Sequence, residues 1–323
     1  PLALEGIKTA NGLEHGEFKA GNNLNWIDPS SRYYLCWQRD LTGWLADCDP
    51  DALIVELNPR LLSTRMALRW MKRRGKPVLG WGLGVPRQGN RLERFLRLSL
   101  LGSLDGVLAY SGRGAREYRA LGIKNVHTAF NAVSPPPAGK PAARPLKPDQ
   151  KPVVLFVGRL QARKRVDVLL RACQELTEAL QPKLVIVGDG PDRGAFETLA
   201  AAVYPQAEFP GARHGAELSP YFEAADLFAL PGTGGLAVQE AMSYGLPVLV
   251  AQGDGTQDDL VRPGNGWQVT PGDQAGFTAA LREALSDLAR LRLMGAESYR
   301  IVSEEINLET MVDSFVGALE SVR

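Results

Sequence analysis

Residues 226–250, DLFALPGTGGLAVQEAMSYGLPVLV, read as strand, glycine loop, helix and strand. Asp226 to Leu230 is an apolar run of strand length, and Pro231-Gly232-Thr233-Gly234-Gly235 is a turn cluster. From Leu236 the spacing turns helical: Val238, Ala241, Met242 and Gly245 fall at i, i+3, i+4 and i+7, one core-facing stripe. Gly245 and Pro247 stop the helix, and Val248 to Val250 is the next buried strand. The glycines let backbone N–H groups at the helix start approach a ligand, where orphan donors and the macrodipole favour an anion. Glu240 falls about 200° round from Val238, off the apolar stripe and free to face a cleft. A carboxylate there suits paired sugar hydroxyls. Taken alone, the same residues serve equally well as a tight turn and a solvated helix position.

The alternation extends outward in both directions. Strands fit Val153 to Val157, Lys183 to Val187 and Glu208-Phe209; helices fit Val166 to Thr177, Asp192 to Ala202 and Glu217 to Ala224. From Phe277 the chain reads as helical, with Ile306 to Val322 a last amphipathic piece. Upstream, Ala52 to Leu57, Pro77 to Trp81, Asp105 to Tyr110 and Asn125 to Phe130 read as strands. Asn58-Pro59 offers a cap to the helix after the first of them. That helix carries Arg60, Arg65, Arg69, Lys72, Arg73, Arg74 and then Lys76, with an apolar stripe at Leu62, Met66 and Trp70. A second basic helix carries Arg87, Arg91, Arg94 and Arg97 against Leu92, Phe95, Leu96 and Leu100. Before about Asp49 no period is legible. Trp26, Tyr33, Tyr34, Trp37 and Trp44 cluster there, and core packing suits most of them better than an acceptor pocket.

The fold class expected is α/β with two tandem Rossmann-like domains. The boundaries expected are 1–134 for an abbreviated amino-terminal domain, 135–151 for a proline-rich linker, 152–300 for the second domain and 301–323 for a closing helix. Such sheets bind ligands beyond the carboxyl ends of their strands.

The chain has 323 residues and a net charge of +1, but the charge is uneven. Up to Ser134 there are 19 Lys+Arg and 12 Asp+Glu, a net of +7, which leaves −6 for the rest. A basic first half implies something anionic nearby: a membrane leaflet rather than nucleic acid, since no nucleic-acid signature accompanies the charge. The basic helix faces also suit ordinary solvated surface. Cys36, Cys48 and Cys173 show no C-x-x-C spacing, which argues against a disulfide framework or zinc site and fits a reducing cytoplasm. No apolar run reaches the roughly 18 residues of a membrane span. There is no signal-peptide pattern, and the chain opens on Pro1 rather than Met. His15, His127 and His214 lack metal-ligand spacing, and a hydrogen-bonded structural role suits them best.

Two further loops leave strand ends with glycine: Gly158-Arg159-Leu160, followed by Lys164, and Gly188-Asp189-Gly190. Arg159 and Lys164 together offer a forked guanidinium and a point-charge ammonium, which suits a diphosphate. Each is weak alone, since a lone Arg or Lys is usually surface charge.

VLFVGRLQARKRVDVLLRA, LVIVGDGPDR, ELSPYFEAADLFALPG and GGLAVQEAMSYGLPVLV resemble successive signatures of GT-B-fold glycosyltransferases, specifically glycosyltransferase family 4. The likeness covers nearly all of Lys151 to Trp267. It implies retaining transfer of a hexosyl unit from a nucleotide-diphosphate sugar, without an obligatory metal, to a glycan, glycolipid or exopolysaccharide precursor. By that resemblance Arg159 and Lys164 hold the diphosphate and stabilise the leaving group. Glu240 takes the ribose hydroxyls, and the amides of Gly234, Gly235 and Leu236 contact the donor. Gly158, Gly188 and Gly190, with Asp189 between them, keep the loops thin against the nucleotide.

The chain also departs from the family pattern. A common loop histidine is Leu83, a second glutamate eight positions before Glu240 is Gly232, and a glycine after the loop lysine is Arg165. These departures keep two rivals open, a catalytically silent relative and a nucleotide-sugar epimerase.

Overall fold

The computed structural model describes residues 22–26, 31, 34–85, 91–145, 150–234, 236–253 and 255–323. They form two units, one from 1–78 with 90–104 and one from 79–89 with 105–323.

The first unit opens with β1 (Asn22–Asn25) and β2 (Cys36–Arg39), which pair antiparallel, followed by α1 (Leu41–Cys48). The sequence shows no period here because the pair is too exposed to need alternation. The aromatic cluster is not core packing: Trp26 is 64% exposed, while Trp37 and Trp44 are only partly buried. Tyr33 lies outside the described residues, as does His15.

β3 (Leu53–Glu56) leads to α2 (Leu62–Lys72), and α3 spans Arg91–Leu101. Asn58 does not cap α2. Its side-chain oxygen accepts the N–H of Arg60, and the helix starts later, behind Leu61. Nor is the apolar stripe of α2 the core face. Ser63, Thr64, Ala67, Leu68 and Met71 are buried, whereas Leu62, Met66 and Trp70 are partly exposed. Ser63 accounts for part of that rotation, since its hydroxyl accepts the N–H of Gln38 and holds α2 against β2. Trp70 instead carries the guanidinium of Arg74, 3.7 Å above its ring. In α3, Leu100 is buried but Phe95 is 66% exposed. The side chains of Arg91 and Leu92 lie outside the described residues, as does Arg87.

The second unit holds β4 (Val78–Gly82, its first residue in the other unit), β5 (Gly106–Ala109), α4 (Gly112–Ala120) and β6 (Val126–Thr128). β5 lies between β4 and β6, parallel to both. Residues 135–145 then cross the surface without regular structure, held down by Arg144. Its guanidinium donates to the carbonyls of Phe222, Glu223, Tyr244 and Gly245 at 2.8–3.4 Å. Burial, with Arg292 nearby, pulls the Arg144 pKa down to about 10.

The remaining strands are β7 (Val153–Val157), β8 (Lys183–Val187), β9 (Glu208–Gly211), β10 (Leu227–Leu230), β11 (Val248–Ala251) and β12 (Gly266–Val269). Between and after them lie α5 (Val166–Gln174), α6 (Arg193–Val203), α7 (Ser219–Ala224), α8 (Leu236–Ser243), α9 (Thr256–Leu260), α10 (Gln274–Ser286), α11 (Leu288–Arg300) and α12 (Leu308–Glu320). The strands form one parallel sheet in the order β12-β11-β10-β7-β8-β9. Its middle is almost wholly desolvated: Leu155, Phe156, Phe228, Ala229, Leu249 and Val250 are 0% exposed. Each large one contributes about 1.5–3 kcal/mol by burial. Parallel strands covered on both faces read as continuous apolar runs, which is why this half is legible in sequence. The two edge strands, β9 and β12, carry no such run. From α8, Val238, Ala241 and Met242 enter the core as the spacing requires.

Candidate functional site

The strand order makes β7 and β10 neighbours although β8 and β9 lie between them in the chain. The chain winds outward from β7 through β8 to β9, then returns to β10 and winds the other way. Where the winding reverses, loops leave adjacent strands in opposite directions and open a crevice beyond the carboxyl ends. The two loops flanking that point are Gly158–Lys164, after β7, and Pro231–Gly234, after β10.

Glycine brings them together. A Cβ on Gly188 would strike the carbonyl of Gly158, and one on Gly190 would strike the backbone of Leu160. The Gly158 N–H donates to Val187 O at 3.0 Å and Leu160 N–H to Asp189 O at 2.9 Å, continuing the β7–β8 ladder into the loops. Asp189 turns its carboxylate on the next N–H, that of Gly190, at 2.7 Å. Across the switch point a Cβ on Gly232 would collide with the backbone of Arg163 and Lys164, and the Thr233 N–H donates to Arg163 O at 3.1 Å. Where the family has its second glutamate, the 163–164 backbone here occupies the space a side chain would need.

Lys164 reaches into this junction. Its Nζ would be struck by a Cβ on residue 234, and its Cε is 3.9 Å from the point a Cβ on Gly158 would take. Gly234 has φ +138°, a conformation that L side chains rarely adopt. Lys164 is half-buried and forms no ion pair or hydrogen bond with any described residue. Burial, with Arg163 nearby, pulls its ammonium below the ordinary lysine pKa. Glu240 is its counterpart on α8. It too is half-buried, with no described partner for its carboxylate, and burial pushes its pKa above the ordinary value. Two desolvated ions of opposite sign that leave one another unpaired are unusual in a finished core and common where a ligand completes the charge balance.

The other expected site residues are placed as follows. Gly158, Gly188, Gly190, Gly234 and Lys164 are brought together. Arg159 and Asp189 are exposed on the rims of their loops, and Leu236 is 56% exposed at the first turn of α8. Gly235 lies outside the described residues. Leu83 is 46% exposed in the loop after β4, a loop still ordered by the Gly84 N–H donating to the Tyr118 hydroxyl at 3.0 Å. His127 and His214 have structural partners: Asn125 at 2.8 Å for the first, a helix cap closed by Glu217 for the second.

Sequence reading missed Gln257. It is 2% exposed, and its amide donates to the Gly234 carbonyl at 2.8 Å, so it fixes the peptide on which Lys164 rests. It missed Asp259 as well, whose carboxylate accepts the Gly112 N–H at 2.9 Å. Burial raises the Asp259 pKa. Both follow β11, and the glycine-rich AQGDGTQDD at that strand's carboxyl end was the available signal. Among the described residues, no cluster of His, Cys, Asp and Glu could hold a metal ion, and no helix is long and apolar enough to cross a membrane.

A family model described as "Glycosyl transferases group 1" matches residues 151–287. A GDP-mannose-dependent alpha-mannosyltransferase of Mycobacterium tuberculosis is 32% identical over 227 residues, covering 68% of this chain and 57% of that protein. Its counterpart from Mycolicibacterium smegmatis is 34% identical over the same length and shares of each chain. The chain thus spans little more than half the length of these relatives. Among solved structures, the lipopolysaccharide outer core galactosyltransferase WaaB superposes with TM-score 0.69 at 22% identity, covering 87% of this chain and 78% of that one. Anabaena Alr3699/HepE in complex with UDP gives 0.68 at 17% identity, covering 87% and 82%. At those identities the superpositions speak for the fold. Residues 151–287 belong to the glycosyl transferases of group 1, the glycosyltransferase family 4 type, and with its parallel sheets and crossed-back strand order the chain has the GT-B fold.

Proposed function

We propose that the chain is a glycosyltransferase that moves a hexosyl unit from a nucleotide-diphosphate sugar to a glycan, glycolipid or exopolysaccharide precursor, with retention at the anomeric carbon. The observation that carries this reading is the half-buried, unpartnered Lys164 ammonium at the β7/β10 switch point, set against Gly234. Lys164 and Arg159 hold the diphosphate. As the bond from the anomeric carbon to the phosphate oxygen breaks, negative charge grows on that oxygen and these cations stabilise it. The acceptor hydroxyl attacks the anomeric carbon, and its proton passes to the departing phosphate. Glu240 accepts hydrogen bonds from the ribose hydroxyls, and the N–H groups at the start of α8 contact the donor. No metal is required where two cations already neutralise the diphosphate. The relatives named as GDP-mannose-dependent make GDP-mannose the first donor to try. The acceptor half rests on the cytoplasmic face of an anionic membrane through the basic faces of α2 and α3.

The packing of Gly232 favours one rival, since a transferase without the second glutamate loses a contact to the donor sugar. The silent relative predicts binding without turnover, and an epimerase predicts interconversion of free nucleotide sugars. Calorimetric titration with GDP-, UDP- and ADP-sugars, followed by a donor hydrolysis assay, separates the three. Absence of binding by all three donors would remove the transferase reading.

A further inference from the structure

The first unit holds a hollow of about 390 Å³ between α2 and α3, lined by Arg65, Leu68, Arg69, Lys72, Arg73 and the hydroxyl-bearing Ser99 and Ser103. We propose that this hollow binds a terminal phosphate group, at a site separate from the β7/β10 crevice.

The four cations are a consequence of helix geometry. Residues 65, 69, 72 and 73 fall within about 100° of one another around α2, so all four project from one face. Cations spaced at i and i+4 repel, and the usual relief is an interspersed carboxylate. None is present: the segment from Arg60 to Lys76 contains no acid, and no described carboxylate lines the hollow. Among the described residues Arg69, Lys72 and Arg73 have no ion-pair partner. Lys76, just past the helix, does find one in Asp49 at 2.7 Å, outside this hollow. Favourable interaction with the helix dipole explains the cations in the last turn, but not Arg65, which sits in the first.

Arg65 is also the residue that gives the hollow its shape. It donates to the Leu96 carbonyl of α3 at 2.8 Å, fixing the two helices at the spacing that leaves the hollow open. Leu68, 4% exposed, is its floor. The volume is at the low end for small-molecule sites, so the ligand is a compact group rather than an extended strand. Three cations outside any ion pair among the described residues, one fixed guanidinium and a serine hydroxyl at Ser99 match the several acceptor oxygens and double charge of a phosphomonoester. Two sources offer that chemistry: a lipid headgroup ending in phosphate, or a soluble phosphorylated molecule.

The test uses the full chain and two probes, inorganic pyrophosphate by calorimetry and sedimentation with phosphatidylcholine vesicles containing phosphatidic acid. A Lys164→Ala background removes one of the two cations proposed for the other diphosphate site, and Arg69 and Arg73 belong to this hollow alone, so arginine-dependent binding reports on it whatever becomes of that assignment. Arg69→Gln with Arg73→Gln is expected to weaken binding about tenfold or more. Arg69→Lys with Arg73→Lys should retain most of it. Both positions are exposed, so unchanged thermal melts are expected. Arginine-dependent binding of vesicles assigns a lipid headgroup, and arginine-dependent binding of pyrophosphate alone assigns a soluble ligand. Binding of neither probe, or binding indifferent to the Gln substitutions, overturns the proposal.

Discussion

A Cβ on residue 234 would clash with Lys164 Nζ, so the bare backbone at Gly234 is what lets the ammonium lie at the sheet's switch point. Gly234→Ala should displace that ammonium and strain a backbone at φ +138°. The expected result is a loss of about 1–2 kcal/mol in stability and about tenfold weaker binding of nucleoside diphosphate, read by thermal melt and calorimetry. Unchanged affinity would show that Lys164 does not depend on this contact.

The lowered pKa of Lys164 sets a pH dependence. A lysine whose folded pKa lies below its unfolded value penalises the folded state while both are protonated, and the penalty is relieved as pH rises through the folded pKa. A bound diphosphate reverses the preference by favouring the ammonium. Stabilisation by GDP or UDP should therefore shrink as pH climbs through the lowered lysine pKa. In Lys164→Met that slope should vanish, ligand binding should weaken, and the free protein should melt slightly higher. A pH slope that survives in Lys164→Met assigns the titration to another group.

Glu240 behaves with the opposite sign. Its folded pKa is raised, so its contribution is fully present below the unfolded value and lost as pH rises through the folded one. Glu240→Gln should remove that loss and leave the free protein as stable or more so, by up to about 1 kcal/mol at neutral pH. It should weaken binding of nucleoside diphosphate while sparing pyrophosphate. Equal weakening of both ligands would place Glu240 away from the ribose.

Restoring the family's second glutamate should fail here. Gly232→Glu forces a Cβ into the backbone of Arg163 and Lys164. A loss of about 3 kcal/mol or more in chemical denaturation is expected, with turnover reduced rather than gained. A stable variant with raised turnover would mean that the 163–164 loop yields.

Arg165 shows the converse. It stands where the family has glycine and adopts the left-handed conformation, φ 53°. An L residue pays about 1–2 kcal/mol there. Its partly exposed pairing with Asp167, at 3.1 Å, returns only part of that. Arg165→Gly should leave stability unchanged or raise it by up to about 1 kcal/mol, measured by urea denaturation. Marked destabilisation would show that the Asp167 pair outweighs the backbone strain.

What was legible in the sequence follows from burial. β7, β8, β10 and β11 are covered on both faces, so each had to be a continuous apolar run, and glycines at their carboxyl ends announced the loops. The half-exposed β1–β2 pair and the rotated face of α2 left no such trace, because their side chains answer to particular neighbours rather than to a period. The sequence by itself therefore determined the doubly wound second half, its family and the residue types offered to a diphosphate. Only the tertiary structure decided that β10 returns beside β7, that Gln257 holds the Gly234 peptide, and that position 232 leaves no room for a carboxylate. Those outcomes depend on contacts between segments far apart in the chain, and local propensity carries no information about which distant backbone will arrive.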